Sequence, residues 1–307
     1  MYQVTLDAFT IYNFTIYILK MANLKEIRNR IGSVSSTMQI TSAMKMVSAA
    51  KLKKAQDAIT AMRPYAEKLT ELIQNISATL EAGDATSVYA DQREVKNVLV
   101  VLVTSNRGLC GAFNSNAIKG ATQLINEKYA GKNVDVLTIG KKGFDIVGKT
   151  TTVFENRSDL FDDLSFENVA DIAQKVMDAF VEGTYDQVDL VYNQFKNAAT
   201  QIVVKEQFLP LQPLEVTSNS VVDYIYEPGK EVIINNLIPS SLKTQMYKAV
   251  LDSNAAEHGA RMTAMHKATD NAKDLRDQLK LTYNKARQAA ITNEILEIVG
   301  GAEALNN

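Results

Sequence analysis

Residues 24–80 read LKEIRNRIGSVSSTMQITSAMKMVSAAKLKKAQDAITAMRPYAEKLTELIQNISATL and decide the fold of this chain. Alternating steps of three and four residues define a heptad seam, the pattern typical of a coiled coil. The three polar exceptions, Thr41, Lys45 and Ser48, fall within residues 39–51, where apolar side chains move to another face that either the chain's own core or another protein would cover. Fourteen of the seventeen seam positions are apolar: Leu24, Ile27, Ile31, Val34, Met38, Leu52, Ala55, Ile59, Met62, Ala66, Leu69, Ile73, Ile76 and Leu80.

A second heptad pattern occupies the C-terminal arm, residues 240–307. We expect Ser240 or Ser241 to cap this helix after Pro239, and the glycine pair at 300–301 to end it. Because residues 1–63 and 240–307 contain no proline, both arms can form long helices. The expected seam consists of Ala268, Ala272, Leu275, Leu279, Thr282, Ala286, Ala289 and Leu296.

The lengths of the two arms indicate how they pack. A sixty-residue helix is about 90 Å long, at about 1.5 Å per residue, whereas a compact middle domain of this size is roughly 40 Å across. We therefore expect the arms to project together as an antiparallel, left-handed coiled coil.

Between the arms, short β-branched runs alternate with helical segments, which predicts a three-layer α/β domain with a partly parallel sheet. The chain is thus divided into an extension (1–20), an N-terminal coiled-coil helix (21–82), the α/β domain (83–239) and a C-terminal coiled-coil helix (240–307). The predicted strands are 95–104, 134–139, 151–154, 188–195, 201–208 and 221–226, and the predicted helices are 112–130, 141–148 and 166–182.

Residues 1–20 need a separate interpretation. Their apolar run is interrupted by polar residues and is too short for a membrane helix, and it has the flanks of neither a signal nor a transit peptide. Met21 resembles a natural start, so we expect residues 1–20 to be an extension without ordered structure.

Composition excludes several classes of site. With 33 basic and 35 acidic residues the formal charge is −2, which does not favour a dedicated nucleic-acid binder. The eight basic and two acidic residues within 22–63 favour a solvated face or an acidic protein partner over DNA. The single cysteine, Cys110, excludes an intramolecular disulfide, and the histidines, His258 and His266, are expected on the helix surface or seam. We expect no metal, cofactor or catalytic site.

One full motif match suggests a different function. Residues 143–150 fit the phosphate-binding pattern G-x-x-x-x-G-K-T. That chemistry needs a strand before the loop and a helix that begins at the lysine. Here a helix-like segment precedes Lys149 and a strand-like one follows, so the order is reversed and a working nucleotide site is not favoured.

Three separate motifs resemble the gamma subunits of F-type, proton-translocating ATP synthases. They are MANLKEIRNRIGSVSSTMQITSAMKMVSAAKLKKAQ at 21–56, TSNRGLCG at 104–111, and RMTAMHKATDNA with YNKARQAAITNEILEIVGGAEAL at 261–305. The resemblance covers the chain from Met21 onward and implies two end helices wound together beside a Rossmann-like domain. It also implies that the chain is a rotor shaft with the alpha, beta and epsilon subunits and the membrane c-ring as partners.

The resemblance carries over to individual residues. It implies that Met44, Lys45, Arg287 and Gln288 contact the beta subunit. Ile291, Ile295 and Ile298 would lie in the apolar sleeve that alpha and beta form around the shaft. Tyr224 and Glu227 would lie near the c-ring and epsilon.

The sequence therefore predicts a non-catalytic rotor subunit, bound peripherally to the cytoplasmic face of a bacterial inner membrane. It would couple proton-driven rotation of the c-ring to ATP synthesis or hydrolysis at the beta subunits. The alternatives are a nucleotide-binding protein that uses residues 143–150 and a free-standing coiled-coil scaffold. Nucleotide binding by the lone chain would favour the first, and normal behaviour without alpha and beta would favour the second.

Overall fold

The computed structural model describes residues 3–78, 88–211 and 230–305. Two helices of 76 residues each, α1 (Gln3–Ala78) and α5 (Lys230–Leu305), enclose a mixed α/β region in the sequence. That region consists of β1 (Asn97–Val103), α2 (Phe113–Lys128), β2 (Asn133–Ile139), α3 (Lys141–Val147), β3 (Thr152–Asn156), a 3₁₀ turn (Ser158–Phe161), α4 (Phe166–Val181), β4 (Gln187–Phe195) and β5 (Gln201–Leu209).

The chain forms two compact units. The helical unit comprises Met1–Lys45 and Met265–Asn307, and the sheet unit comprises Met46–Ala264. The predicted domain limit at residue 82 lies outside the described residues, and the limit at residue 239 lies inside α5. The predicted division into domains stays a prediction.

In the helical unit, α1 and α5 form an antiparallel pair, as the sequence predicts. Arg28 donates from Nη2 to the Tyr283 hydroxyl at 2.6 Å. Further along α1, Thr41 meets Thr269, with 2.8 Å between their Oγ1 atoms. Because later residues of α1 meet earlier residues of α5, the two helices run in opposite directions.

The predicted α1 seam is confirmed wherever the structure gives its side-chain exposure. From Leu24 to Leu69, every seam position is buried or half-buried. The polar exceptions Thr41 and Ser48 are also buried, and Lys45 is half-buried. Small hydroxyl side chains fit a close helix approach and can bond to the preceding turn, as Thr41 does to the Met38 carbonyl at 3.1 Å.

The predicted α5 seam is only half right. Ala268, Ala272, Leu279 and Ala286 are buried or half-buried, whereas the other four predicted positions are exposed: Leu275, Thr282, Ala289 and Leu296. At each of the first three, the next residue faces inward instead; these residues are Arg276, Tyr283 and Ala290. At Arg276, which takes the place of Leu275, the face of α5 that contacts α1 is therefore more polar than the apolar periodicity predicts.

The ends of both helices differ from expectation. The helix α1 begins at Gln3, so the prediction of no ordered structure is wrong for residues 3–20, which contain neither proline nor glycine to interrupt a helix. The helix α5 begins at Lys230 and passes through Pro239, so the predicted cap at Ser240 is also wrong. The Ser240 hydroxyl instead bonds to the Asn236 carbonyl at 2.9 Å. Gly300 does not end α5, which continues to Leu305.

The sheet unit is built on β1, whose apolar run NVLVVLV is buried from Val98 to Val103. The strand order is β3-β2-β1-β4-β5, in which β1 to β4 are parallel and β5 is antiparallel to β4. This mixed sheet confirms the prediction. Between the two long helices, all the predicted strands and helices in the described residues are found within a few residues of their predicted limits, and the predicted strand 221–226 lies outside the described residues.

Helices cover both faces of the sheet, which gives the predicted three layers. On one face, α2 and Val147 of α3 pack against alternate residues of β1. On the other face, α4 and the part of α5 from Leu242 to Val250 pack against the remaining residues of β1 and against β4. The part of α5 from Leu242 to Val250 therefore belongs to one of the layers that cover the sheet.

Candidate functional site

On α5, the two residues that the family resemblance assigns to contact with the beta subunit are open to solvent. Arg287 and Gln288 are both exposed. A free guanidinium presents a planar fork of donors that fits a carboxylate, and an exposed amide beside it can donate and accept. This part of α5 can therefore bind an acidic partner without any rearrangement of its own packing.

Apolar side chains dominate the surface of α5 beyond Gln288. The three predicted sleeve residues, Ile291, Ile295 and Ile298, are 47%, 54% and 67% exposed. Leu296 and Val299 beside them are similarly exposed. Contiguous exposed apolar side chains of this kind mark interaction surfaces.

On α1, the predicted contact residues are less open. In the helical unit, Met44 and Lys45 are half-buried, while Ile40 is exposed. In the sheet unit, Met46 and Val47 are exposed. The apolar residues that leave the heptad seam within residues 39–51 thus include large exposed side chains, so the chain's own core does not cover all of them.

The match to the phosphate-binding motif does not form a phosphate loop. Its first glycine, Gly143, is buried inside α3, and its backbone N–H donates to the Thr104 hydroxyl at 2.9 Å. Gly148 ends α3, so Lys149 follows a helix instead of beginning one. The backbone amides that would bind phosphate already donate hydrogen bonds within the protein, as the reversed order predicts.

The loop that follows β1 is the second distinctive site. Cys110 is buried, as expected for a small structural thiol, and burial raises its pKa. Asn114 donates from Nδ2 to its sulfur at 3.2 Å and accepts from the Ser105 backbone at 2.9 Å. Next to it, Leu109 is exposed and has a positive φ of 64°.

A buried ion pair on α5 holds this loop. Arg261 forms a salt bridge with Glu257, and both side chains are about nine-tenths buried. Arg261 also donates from Nη2 to the carbonyl oxygens of Arg107 and Gly108, at 3.1 and 3.3 Å. The sequence analysis missed this pair, although opposite charges four residues apart on a helix were a visible signal.

The helix α5 also fills the crevice where an open α/β sheet binds ligands, beyond the carboxyl ends of the strands at the switch in strand order. In this fold that switch lies between β1 and β4. Ala256 and Ala260 pack there against Cys110 and Phe113. A Cβ added at Gly259 would lie 3.2 Å from the ring of Phe195, at the end of β4. The usual nucleotide position of this architecture is therefore occupied by protein.

His258 lies beside the ion pair and supports a prediction about pH. Burial, with the positive charges of Arg261 and Lys51, lowers its pKa to about 4. An unfolded histidine titrates near 6.5, so below that pH the unfolded chain binds more protons and stability falls as the pH falls towards 4. Because His258 is partly exposed, we expect this loss to be roughly 1–2 kcal/mol.

Urea unfolding between pH 7 and 4 measures this loss. In the His258→Gln variant the slope of stability against pH should be shallower. His266→Gln, which changes an exposed histidine 3.3 Å from Asp270, should alter stability by no more than about 0.5 kcal/mol over this range. Glu257, whose pKa burial raises, acts in the opposite direction in all three proteins and cancels in the comparison. A slope for His258→Gln no shallower than that of His266→Gln would contradict the prediction.

Two predicted contact residues, Tyr224 and Glu227, lie outside the described residues. Among the described residues, no group of His, Cys, Asp and Glu side chains is arranged to hold a metal ion. None of the helices in this part of the chain has an apolar stretch long enough to cross a membrane.

Comparison with known proteins points in one direction. The family model for ATP synthase matches residues 23–305. The ATP synthase gamma chain of Flavobacterium psychrophilum is 71% identical over 286 residues, which cover 93% of this chain and 99% of the relative. The gamma chain of a Geobacter species is 44% identical over 287 residues, with 93% and 99% coverage.

Solved structures agree on the fold. The central stalk and c-ring structure of Tetrahymena thermophila mitochondrial ATP synthase contains a chain that matches at 26% identity and a TM-score of 0.54, covering 75% of this chain and 99% of that one. A chain of Euglena gracilis mitochondrial ATP synthase matches at 21% identity and a TM-score of 0.65, covering 92% and 95%, and supports the fold alone.

Proposed function

The chain belongs to the ATP synthase gamma-chain family, and from this premise we propose that it is the central rotor shaft of its complex. The observation that carries the proposal is the antiparallel pair of α1 and α5, which leaves charged and apolar side chains exposed along the last turns of α5. A paired helix can transmit torque, and exposed side chains on it can act on surrounding subunits.

In this proposal the chain couples proton-driven rotation of a membrane c-ring to ATP synthesis or hydrolysis at the beta subunits. The shaft is asymmetric, so each beta subunit around it meets a different face. A contact that favours one conformation of beta over another shifts the population of that subunit alone. Rotation then moves each site through the conformations in turn, and the nucleotide chemistry takes place on beta.

The proposed partners are the alpha and beta subunits, epsilon and the c-ring. Arg287 and Gln288 suit carboxylates of beta, and Met44 and Lys45 would contact beta from α1. The apolar side chains at Ile291, Ile295 and Ile298 suit a smooth sleeve, since they form no directional bonds that rotation would have to break. Tyr224 and Glu227 are proposed for the c-ring and epsilon by family resemblance alone.

We place the chain at the cytoplasmic face of a bacterial inner membrane, held there by its partners. The high identity to gamma chains of Flavobacterium species supports this location. The lack of a membrane-spanning helix in the described residues is compatible with attachment through other subunits.

Reconstitution tests the proposal. Alpha and beta subunits mixed with this chain should hydrolyse ATP much faster than alpha and beta alone, because the shaft drives the catalytic sites through their conformations. The lone chain should neither bind nor hydrolyse nucleotide. No increase in hydrolysis, or tight nucleotide binding at Lys149, would contradict the rotor proposal.

Single substitutions test the proposed contacts. We expect Arg287→Ala to lower ATP-driven proton pumping about tenfold, as the loss of a charge-assisted pair of this kind would. Met44→Lys should likewise disturb coupling, because it places a charge in a half-buried position that faces beta in the proposal. Neither change should alter the thermal unfolding of the lone chain by more than a few degrees.

Lys285→Ala is the matched control for Arg287→Ala. It removes an exposed cation two residues away that the proposal does not assign to any contact. Pumping should stay close to that of the unaltered complex. Equal losses from the two alanine variants would indicate a general charge effect and remove the assignment of Arg287.

A further inference from the structure

The helix α5 has two faces that could pack against α1. Its apolar periodicity favours a seam through Leu275, Thr282, Ala289 and Leu296, but those residues are exposed. The observed seam instead passes through Arg276, Tyr283 and Ala290. The two seams share Ala272, Leu279 and Ala286, so they differ by a rotation of α5 about its own axis and not by sliding along α1.

The size of that rotation follows from helix geometry. Successive residues are separated by about 100° around a helix. The two seams share every second position and differ by one residue, or about 100°, at the positions between. The mean rotation between them is therefore roughly 50°. At the radius of the side chains this moves the outer surface of α5 by about 5 Å.

Three polar contacts are specific to the observed rotation. Thr269 meets Thr41 at 2.8 Å, and Thr41 is buried. Arg276 donates from Nη1 to the Met38 sulfur at 3.6 Å. Arg28 lies over the Tyr283 ring, with its guanidinium carbon 5.5 Å from the ring centre. The Arg28 guanidinium also donates to the Tyr283 hydroxyl at 2.6 Å, but that pair is exposed. The threonine pair is part-buried, and the Thr41 hydroxyl can donate to the Met38 carbonyl of its own helix while it accepts from Thr269.

Apolar burial does not separate the two rotations. Leu275 is 44% exposed while the neighbouring Arg276 side chain is only 21% exposed, but at the next position Tyr283 is half-buried where the other rotation would bury Thr282. Hydrophobic burial alone therefore does not select one of them. In coiled coils, a single polar residue at a seam position selects one arrangement at some cost in stability.

We propose that Thr41 and Thr269 are positioning residues that hold α5 in one of two rotations. In the selected rotation Arg287, Gln288 and the apolar side chains beyond them are exposed. The other rotation would turn this surface by several ångströms relative to α1. The claim that this rotation matters for coupling rests on the proposed rotor function. The claim that the two threonines select it does not.

Disulfide trapping in the full chain tests the selection. In a Cys110→Ser background, Ile27→Cys is combined with either Tyr283→Cys, which faces α1 in the observed rotation, or Thr282→Cys, which would face it in the other. Tyr283→Cys removes the contact with Arg28 in every background, so only the threonines differ when backgrounds are compared. With both threonines present, the pair with position 283 should oxidise at least about tenfold faster under copper–phenanthroline and air. In Thr41→Val/Thr269→Val the ratio should fall to within about threefold.

Thr41→Ser/Thr269→Ser is the matched control, because it keeps both hydroxyls and should restore the original ratio. Circular dichroism checks that each variant keeps its helix. If the double valine variant does not, Thr269→Val alone takes its place in the same comparison. An unchanged ratio in a folded valine variant would overturn the proposal.

A second readout separates this inference from the proposed function. In vesicles that contain the complete complex, the double valine variant should pump about threefold fewer protons per ATP hydrolysed, and the double serine variant should pump normally. A changed disulfide ratio with normal pumping would overturn the link to coupling but keep the selection. If the unaltered chain gave no stimulation of alpha and beta, the rotor proposal itself would be wrong, whatever the disulfide ratio.

Discussion

Replacing Gly140 with alanine is expected to prevent stable folding of the sheet unit, with a loss of at least about 4 kcal/mol. Gly140 follows β2 with a φ of +110°, and a Cβ there would lie 2.2 Å from the carbonyl oxygen of Thr104. Two hydrogen bonds hold the backbone where Gly140 passes Thr104. The Thr104 N–H donates to the Ile139 carbonyl at 2.8 Å, and the Gly143 N–H donates to the Thr104 hydroxyl at 2.9 Å. The clash cannot relax without breaking them.

Gly131→Ala separates the clash from the strain of a positive φ. Gly131 has a φ of +78°, but nothing lies within 4 Å of an added Cβ. We expect it to cost only about 1–2 kcal/mol, the usual penalty for an L residue in that conformation. Urea unfolding of the full-length variants measures both losses, and similar values for the two alanines would contradict the steric argument.

The second large effect is expected from Arg261→Met. The substitution keeps much of the side-chain volume but leaves the Glu257 carboxylate buried without its partner, which typically costs about 3–5 kcal/mol. It also removes the donor that holds the carbonyl oxygens of Arg107 and Gly108. We expect the free energy of unfolding to fall by this amount at pH 7, together with faster hydrogen exchange in residues 105–111.

Glu257→Gln in the Arg261→Met background is the matched test. If the unpaired charge causes the loss, the neutral amide should recover about 2 kcal/mol of it. Lower pH should have a similar effect in Arg261→Met alone. Burial raises the pKa of Glu257, so the folded state takes up the proton first and its penalty declines as the pH falls. No recovery by either route would indicate that the lost loop contacts, and not the charge, are responsible.

The family motifs predicted one part of the candidate site, and another part was missed. The family motifs led to Arg287, Gln288 and the three isoleucines, and all five are exposed where a partner could reach them. Met44 and Lys45 are half-buried and so less exposed than those five, and their contact with beta stays a prediction. The pair of Glu257 and Arg261 was missed, because its importance depends on a loop more than 140 residues away in the sequence.

The sequence by itself determined the alternation of strands and helices and the seam of α1, since these follow from local periodicity and from the positions of proline and glycine. The tertiary structure decided which face of α5 packs against α1, where α5 begins, and that α5 fills the crevice at the ends of β1 and β4. The reason is physical: periodicity shows that a helix forms, but two faces of similar character can be distinguished only by contacts such as Thr41 with Thr269, which join residues 228 positions apart.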